Sequence, residues 1–208
     1  MVRLGCISCK VTIEPSNEKI KSLSDTIVQQ IQSELTIETV SQKPTIKSIK
    51  ETYRKLGKDP SRYRPSAEAL TRRIVNGKDV YWINNIVDIL NLISLESGFS
   101  IGGYDAAKIE GTTGFGVGKA NEPYEAIGRG SLNIENLPLF RDDLGAFGSP
   151  TSDSLRTMVT DHTTRFLMII IDFEQDKILE KTMERSVALY QQFANVFDVE
   201  TEIKAAIR

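Results

Sequence analysis

The segment Gly145–Thr157 concentrates side chains that could bind or transform a polar ligand. It holds five hydroxyl groups, one carboxylate and one guanidinium: Ser149, Thr151, Ser152, Ser154, Thr157, Asp153 and Arg156. Its glycines and Pro150 predict a loop. The most apolar run of the chain, Phe166–Phe173, follows and predicts a buried strand. A polar loop attached to a buried strand commonly presents binding or catalytic groups; a solvated turn is the alternative.

The single histidine, His162, is a second candidate for chemistry. It lies just before the apolar run, where its imidazole could orient or deprotonate a water molecule. A capping or surface role is the alternative. The glycine-rich segment Gly111–Lys119 lacks the spacing of a phosphate loop and predicts a flexible hairpin.

Cys6 and Cys9 are the only cysteines. A zinc site would need two further ligands, and the chain offers a single histidine. Both cysteines lie within a predicted strand, which favours core packing over redox chemistry. We therefore expect no metal site and no cofactor.

A basic region extends from Lys43 to Lys78. This window holds eleven Lys or Arg residues and three acidic residues, a local charge of +8 in a chain whose net charge is −2. Such a bias is typical of proteins that bind a phosphate backbone, although a solvated helical face is the alternative. The candidate RNA contacts are Lys50, Arg54, Lys55, Arg62, Arg64, Arg72 and Arg73.

The spacing of apolar residues predicts the elements that position these groups. A strand is expected over Val2–Ile13. Four helices follow, from Ser16 to Leu35, from Pro44 to Gly57, from Pro65 or Ser66 to Gly77, and from Asn84 or Asn85 to Gly98. Frequent glycines then predict hairpins, with strands such as Lys108–Glu110 and Leu137–Phe140. The strand Phe166–Phe173 and a helix over Lys177–Phe197 complete an order typical of α+β proteins.

Length and hydropathy exclude a membrane partner. The 208 residues are 40% apolar and 26% charged, and no run approaches the roughly 18 apolar residues of a membrane span. The first residues lack the pattern of a signal peptide. We expect a cytoplasmic protein, and the sequence gives no indication of its oligomeric state.

Three segments in a fixed order extend these observations. A helical segment over Ile83–Gly98 carries Asn85, Asp88 and Asn91, and it leads into Ser100–Asp105 and Lys108–Gly111. Together they resemble the tRNA-binding and editing module (B3/B4) of the bacterial phenylalanyl-tRNA synthetase beta subunit. The Gly145–Thr157 loop resembles the free-standing members of that family. The resemblance covers roughly residues 46–173, in a chain far shorter than a synthetase subunit.

The resemblance implies an α+β fold, with a mixed, mainly antiparallel sheet flanked by helices. Residues 1–208 would form one B3/B4-like domain, with an N-terminal strand and helix (1–42), the family core (43–173) and C-terminal helices (174–208). The resemblance also implies a pocket that hydrolyses the ester of a misacylated aminoacyl-tRNA. Such a second site is useful because one pocket discriminates poorly between near-isosteric amino acids. An activated ester needs a positioned water and donors for the oxyanion.

The expected site combines the helix, the turn and the loop. Its substrate-binding candidates are Asn85, Asp88, Asn91, Gly102, Gly103, Tyr104, Asp105, Ser149, Thr151, Arg156 and Thr157. The catalytic candidates are Asp153, Ser152 and His162. Asp153 is expected to receive the substrate's α-ammonium, and Arg156 to brace the loop or meet the terminal ribose-phosphate. Alternatives for Asp88 and Asp105 are structural roles in capping or turn formation.

One departure from the family concerns Gly102. The synthetase module usually carries a histidine there, within His-Ala-Phe-Asp, where this chain has Gly102-Gly103-Tyr104-Asp105. The hydrolytic mechanism and the specificity for tyrosine therefore do not transfer. The leading hypothesis is a domain that binds tRNA or aminoacyl-tRNA and hydrolyses misacylated species in trans. The alternatives are a non-catalytic RNA-binding module and a hydrolase or binder of small amino-acid derivatives.

Overall fold

The computed structural model describes residues 2–173 and 177–206. Its strands form antiparallel sheets. The larger sheet has the order β2-β8-β1-β9, formed by Ile101–Asp105, Arg165–Asp172, Val2–Lys10 and Phe197–Ala206. A second sheet has the order β3-β6-β7, formed by Gly114–Val117, Pro138–Asp142 and Gly145–Gly148. A short hairpin pairs β4 (Glu125–Ala126) with β5 (Gly130–Ser131).

Six helices accompany the sheets in the described part of the chain. They are α1 Glu18–Glu34, α2 Ile37–Val40, α3 Pro44–Lys55, α4 Ser66–Val75, α5 Asn85–Ser97 and α6 Ile178–Phe193. Local chemistry sets their ends. Asn84 caps α5 by accepting from the backbone of Ile86 and Val87, and Gly98 ends it with φ +75°. The α+β fold with mainly antiparallel sheets is confirmed.

The larger sheet lies between two layers. On one face, alternate residues of β1 and β8, including Ile7 and Met168, pack against α1, α5 and α6 in the main core. On the other face, Leu4 and Ile169 pack with Phe140 and other aromatic residues of β6 and β7. In the larger sheet β2 is an edge strand, so one of its sides has no neighbouring strand in that sheet and is available for contacts with loops.

Several local predictions were wrong. Residues 197–206 form a strand paired with β1, so the segment predicted as C-terminal helices (174–208) contains one described helix and one strand. The helix ends at Phe193, and Asn195 has φ +50°, a left-handed conformation that turns the chain. Alternating polar and apolar residues from Val199 to Ile203 are the strand signal that the prediction overlooked.

Other differences concern the middle of the chain. The predicted strand Lys108–Glu110 is absent there, since residues 106–108 form a 3-10 turn. The predicted loop Gly145–Thr157 begins as strand β7, because Gly145–Gly148 pairs with β6. Asn17, rather than Ser16, caps α1.

The cysteines lie in β1 with their side chains on opposite faces, as expected for an i, i+3 pair in a strand. Both are free thiols. Burial raises the pKa of Cys6, and it raises that of Cys9 to about 11. The burial of these thiols agrees with the predicted packing role. In the described ranges, no helix combines the length and apolar character that crossing a membrane requires.

Candidate functional site

The loop after β7 is held by its own hydroxyl groups. Ser149 Oγ donates to the Ser152 carbonyl at 2.9 Å and accepts from the Ser152 amide at 3.2 Å. Thr151 Oγ1 donates to the Tyr63 carbonyl at 3.1 Å and lies 2.9 Å from the Tyr53 hydroxyl. Tyr124 also donates to the Ser152 carbonyl, at 2.7 Å. Ser149 therefore fixes the backbone of the loop, and Thr151 attaches the loop to Tyr53 and Tyr63.

Asp153 is directed at the free edge of β2. Its Oδ1 accepts from the Tyr104 hydroxyl at 2.8 Å, and its Oδ2 accepts from the Gly103 amide at 3.4 Å. Burial raises the pKa of Asp153 to about 7, although the hydrogen bonds from Tyr104 and Gly103 oppose this shift by favouring the carboxylate. Asp153 therefore exchanges a proton near neutral pH.

Two glycines make the contact between Tyr104 and Asp153 possible. A Cβ atom at either Gly102 or Gly148 would overlap the Tyr104 side chain at its hydroxyl end. The ring is fully buried and makes an edge contact with Phe147, with centroids 5.0 Å apart. Burial and the adjacent Asp153 hold the pKa of Tyr104 well above its usual range, so the phenol stays protonated and donates. A histidine at position 102 is incompatible with this arrangement.

Arg156 braces the loop. Its guanidinium forms a two-point pair with Asp142 at 2.8 and 3.0 Å, and it donates to the Lys108 carbonyl at 3.0 Å. Burial opposes ionisation of Asp142, but the hydrogen bond and charge of Arg156, together with the amides of Glu110 and Leu144, outweigh it and lower the pKa of Asp142. Thr157 is buried, with its hydroxyl directed to the Phe147 carbonyl. Of the two expectations for Arg156, these contacts match the bracing role.

The three α5 candidates have different surroundings. Asn85 is buried, donating to the Thr12 carbonyl and accepting from the Glu14 amide. Asp88 is also buried and accepts from the Ser16 hydroxyl at 2.6 Å and the Ile83 amide at 2.9 Å. Burial raises the pKa of Asp88, opposed by these bonds. Asn91 alone among the three lines the cleft described below.

Asp105 and His162 lie apart from the loop. Asp105 caps the 3-10 turn over 106–108 and accepts from the buried Thr163 hydroxyl at 2.9 Å. This is the turn-forming role that the sequence offered as its alternative. His162 is exposed in a turn and is not among the described residues that line the cleft. The arrangement therefore does not place His162 beside Asp153.

A cleft of about 600 Å³ opens at the edge of β2, between the loop and helices α4 and α5. Six predicted candidates belong to its lining: Asn91, Gly103, Ser149, Thr151, Ser152 and Asp153. Gly102, Tyr104, Asp105, Asn85, Asp88, Arg156 and Thr157 lie outside its described lining. The cleft thus contains some candidates from each predicted segment. The other candidates lie outside its described lining, and several of them hold the surrounding backbone in place.

Positive charge surrounds this cleft. Its described lining contains five cations and one carboxylate, Asp153; the cations are Arg64, Arg72, Arg73, Lys78 and Arg129. Three of them are predicted RNA contacts. Arg54, Lys55 and Arg62 are exposed elsewhere, whereas Lys50 is largely buried and pairs with Glu68 at 3.0 Å. A field of this sign attracts polyanions.

Sequence reasoning missed several lining residues. Arg129 belongs to the short β4–β5 hairpin, and its position beside the loop follows from long-range pairing, including the Ile127 amide donating to the Asp153 carbonyl. Tyr81 and Ile83 also line the cleft. Three large apolar residues just before the α5 cap were a signal that could have identified them.

Comparisons with known proteins show the family of this chain. A solved N-terminal fragment of the phenylalanyl-tRNA synthetase beta subunit from Pyrococcus horikoshii is similar at 16% identity and a TM-score of 0.44. The similarity covers 59% of this chain and 43% of that one. The comparison with curated proteins found no match. The sequence model of the B3/4 domain matches residues 48–200, so this chain belongs to the B3/4 domain family.

Proposed function

We propose that this B3/4 domain binds the aminoacyl end of a tRNA and hydrolyses misacylated species in trans. One observation supports the proposal: the described lining of the cleft combines a single carboxylate, Asp153, with five cations. An aminoacyl-tRNA terminus has the complementary charges, with one α-ammonium at its tip and phosphates behind it. The charges of the cleft and the ligand would therefore align the ester beside the loop.

The chemistry would proceed without a covalent nucleophile. Water attacks the ester carbonyl, the bond to the ribose oxygen breaks, and that oxygen receives a proton. Ser152 lines the cleft, and its hydroxyl donates to the Ile127 carbonyl at 3.4 Å rather than to a basic side chain. We therefore assign Ser152 to substrate contact, together with Asn91, as donors for the developing oxyanion.

Asp153 can serve this reaction in two ways. As a carboxylate it can hold the α-ammonium, and with a pKa of about 7 it can instead accept a proton from the attacking water. The substitution Asp153→Asn distinguishes them. Loss of ammonium binding raises KM most, whereas loss of the base lowers kcat by about 100-fold. A base also produces a rate that rises with pH through the pKa.

Binding can be tested separately from hydrolysis. We expect the affinity for uncharged tRNA to fall steeply with salt, because each phosphate contact releases counterions. Replacing Arg64 and Arg129 with Gln should reduce the slope of log K against log salt by about 2, since both cations line the cleft. Matched controls are Lys19→Gln and Lys181→Gln, which alter exposed residues of α1 and α6.

The outcomes separate the alternatives. If the Arg64 and Arg129 variants still bind tRNA with an unchanged slope, the RNA does not bind in the cleft. Absence of salt-dependent tRNA binding would favour the remaining alternative, a hydrolase or binder of small amino-acid derivatives.

We also propose that residues 1–208 act as one domain. The pairing of β1 with β9, which lie far apart in the sequence, supports this.

A further inference from the structure

Three consecutive large apolar side chains are exposed between α4 and α5, beside the cleft. The exposed fractions are 55% for Tyr81, 46% for Trp82 and 60% for Ile83. Tyr81 and Ile83 line the cleft, whereas Trp82, which stands between them in the chain, lies outside its described lining. Isolated exposed apolar residues are ordinary, but a contiguous group next to a binding cleft indicates a contact surface.

The backbone that carries these side chains is held from both sides. In the last turn of α4, Arg73 donates from Nε to the Asp79 carbonyl and from Nη1 to the Tyr81 hydroxyl at 3.0 Å. Beyond Trp82, the Ile83 amide donates to the buried Asp88 carboxylate at 2.9 Å. A surface ordered before binding loses less conformational freedom on binding, so the aromatic side chains are presented at low entropic cost.

The charges beside this surface favour an anionic partner. The Arg73 guanidinium lies over the Tyr81 ring, with its carbon 3.9 Å from the ring centroid. Arg64, Arg72 and Lys78 line the same cleft as Tyr81. Aromatic rings next to cations match the two components of single-stranded nucleic acid, because bases stack on the rings while phosphates pair with the cations.

We infer that Tyr81, Trp82 and Arg73 form a stacking platform for the unpaired nucleotides that lead to the acceptor end of the RNA. This inference rests on the proposed function, in which the cleft holds that end. Base–aromatic stacking tolerates any base, so the platform contributes affinity without sequence specificity. It favours single strands over duplexes, because paired bases already stack on one another.

The only tryptophan of the chain is Trp82, which gives a direct signal. A single-stranded RNA of about eight nucleotides should quench its emission in a saturable manner, and a duplex of equal length should quench it much less. Trp82→Ala should weaken binding of the single strand about tenfold, as expected for one lost stack, and Trp82→Phe should restore most of it. The slope against salt should stay unchanged, because no cation is removed.

The matched control is Phe197→Ala, which removes another exposed aromatic side chain, 52% exposed and located in β9. It should bind as the wild type does. If tRNA binds with a salt dependence while the Trp82 emission stays constant and Trp82→Ala binds normally, the platform is refuted and the cleft proposal stands. Equal quenching by the duplex also overturns the platform. If no RNA binds at low salt, both proposals fail.

Discussion

Replacing Asp153 with asparagine should stabilise the protein increasingly as the pH rises from 4 to 7. Burial raises the pKa of Asp153 from its ordinary 3.8 to about 7. Between these values the folded protein keeps a proton that the unfolded chain releases, so stability of the wild type falls as the pH rises. Asparagine does not titrate. Its amide can still accept from Gly103 and donate to the Tyr104 hydroxyl oxygen, whereas the Tyr104 O–H loses its acceptor, a cost that does not change with pH.

The magnitude follows from the size of the shift. A change of about 3 pKa units corresponds to about 4 kcal/mol at 1.36 kcal/mol per unit. The cleft is open and the Asp153 residue is partly accessible, so solvent reduces this value. We expect the advantage of Asp153→Asn over the wild type to grow by about 1–2 kcal/mol across this range and to level off above pH 8.

Urea unfolding at half-unit steps from pH 4.5 to 8.5 measures this difference directly. Asp25→Asn, at an exposed position of α1, serves as the surface control and should follow the wild-type curve. Tyr104→Phe removes a hydrogen bond that favours the Asp153 carboxylate, which raises the pKa of Asp153 further. The stability of this variant should therefore continue to fall at pH values where that of the wild type has levelled off. A constant difference between Asp153→Asn and the wild type at all pH values would refute the raised pKa of Asp153.

Three further substitutions or reactions test the supports of the site. Gly148→Ala should destabilise the protein by about 1–3 kcal/mol, because its Cβ would overlap the Tyr104 hydroxyl. Arg156→Gln should cost about 3–5 kcal/mol in urea unfolding by leaving the buried Asp142 carboxylate without its cation. Cys9, with a pKa raised to about 11, should react with Ellman's reagent at pH 8 only after unfolding.

The two substitutions have matched controls within the chain. Gly114→Ala introduces a Cβ with no atom within 4 Å, and it should leave the melting temperature nearly unchanged. Arg165→Gln alters an exposed arginine of β8 and should cost little. Equal losses for either pair would contradict the specific contacts described for Gly148 or Arg156. Rapid reaction of both thiols in the folded protein would contradict the burial of Cys9.

Much of the framework could be predicted because it depends on local patterns. The apolar stripe containing Ile20, Ile27 and Ile31 specifies α1, and the turn after α5 follows from Gly98. The α+β class follows from the order of such elements. The strand β9 was missed because the sequence prediction continued the last helix to Phe197. In the structure α6 ends at Phe193, and the left-handed Asn195 turns the chain before β9.

The site was predicted less completely, because a residue type does not reveal its long-range partner. Asp88 and Arg156 are polar residues at plausible positions, yet the folded chain uses Asp88 to hold Ile83 and Arg156 to pair with Asp142. Conversely, Arg129 reaches the cleft through pairings that no local pattern encodes. Asp153 was chosen as a candidate because its loop combines turn residues with a carboxylate beside a buried strand, and its catalytic role stays a prediction.

Release of the amino acid from a panel of misacylated tRNAs tests the proposed hydrolysis most directly. We predict that the purified protein deacylates at least one of them well above the rate in buffer. That activity should fall with Asp153→Asn and remain with Asp25→Asn. Binding of every tRNA in the panel without accelerated release from any would contradict hydrolysis and leave a non-catalytic RNA-binding domain.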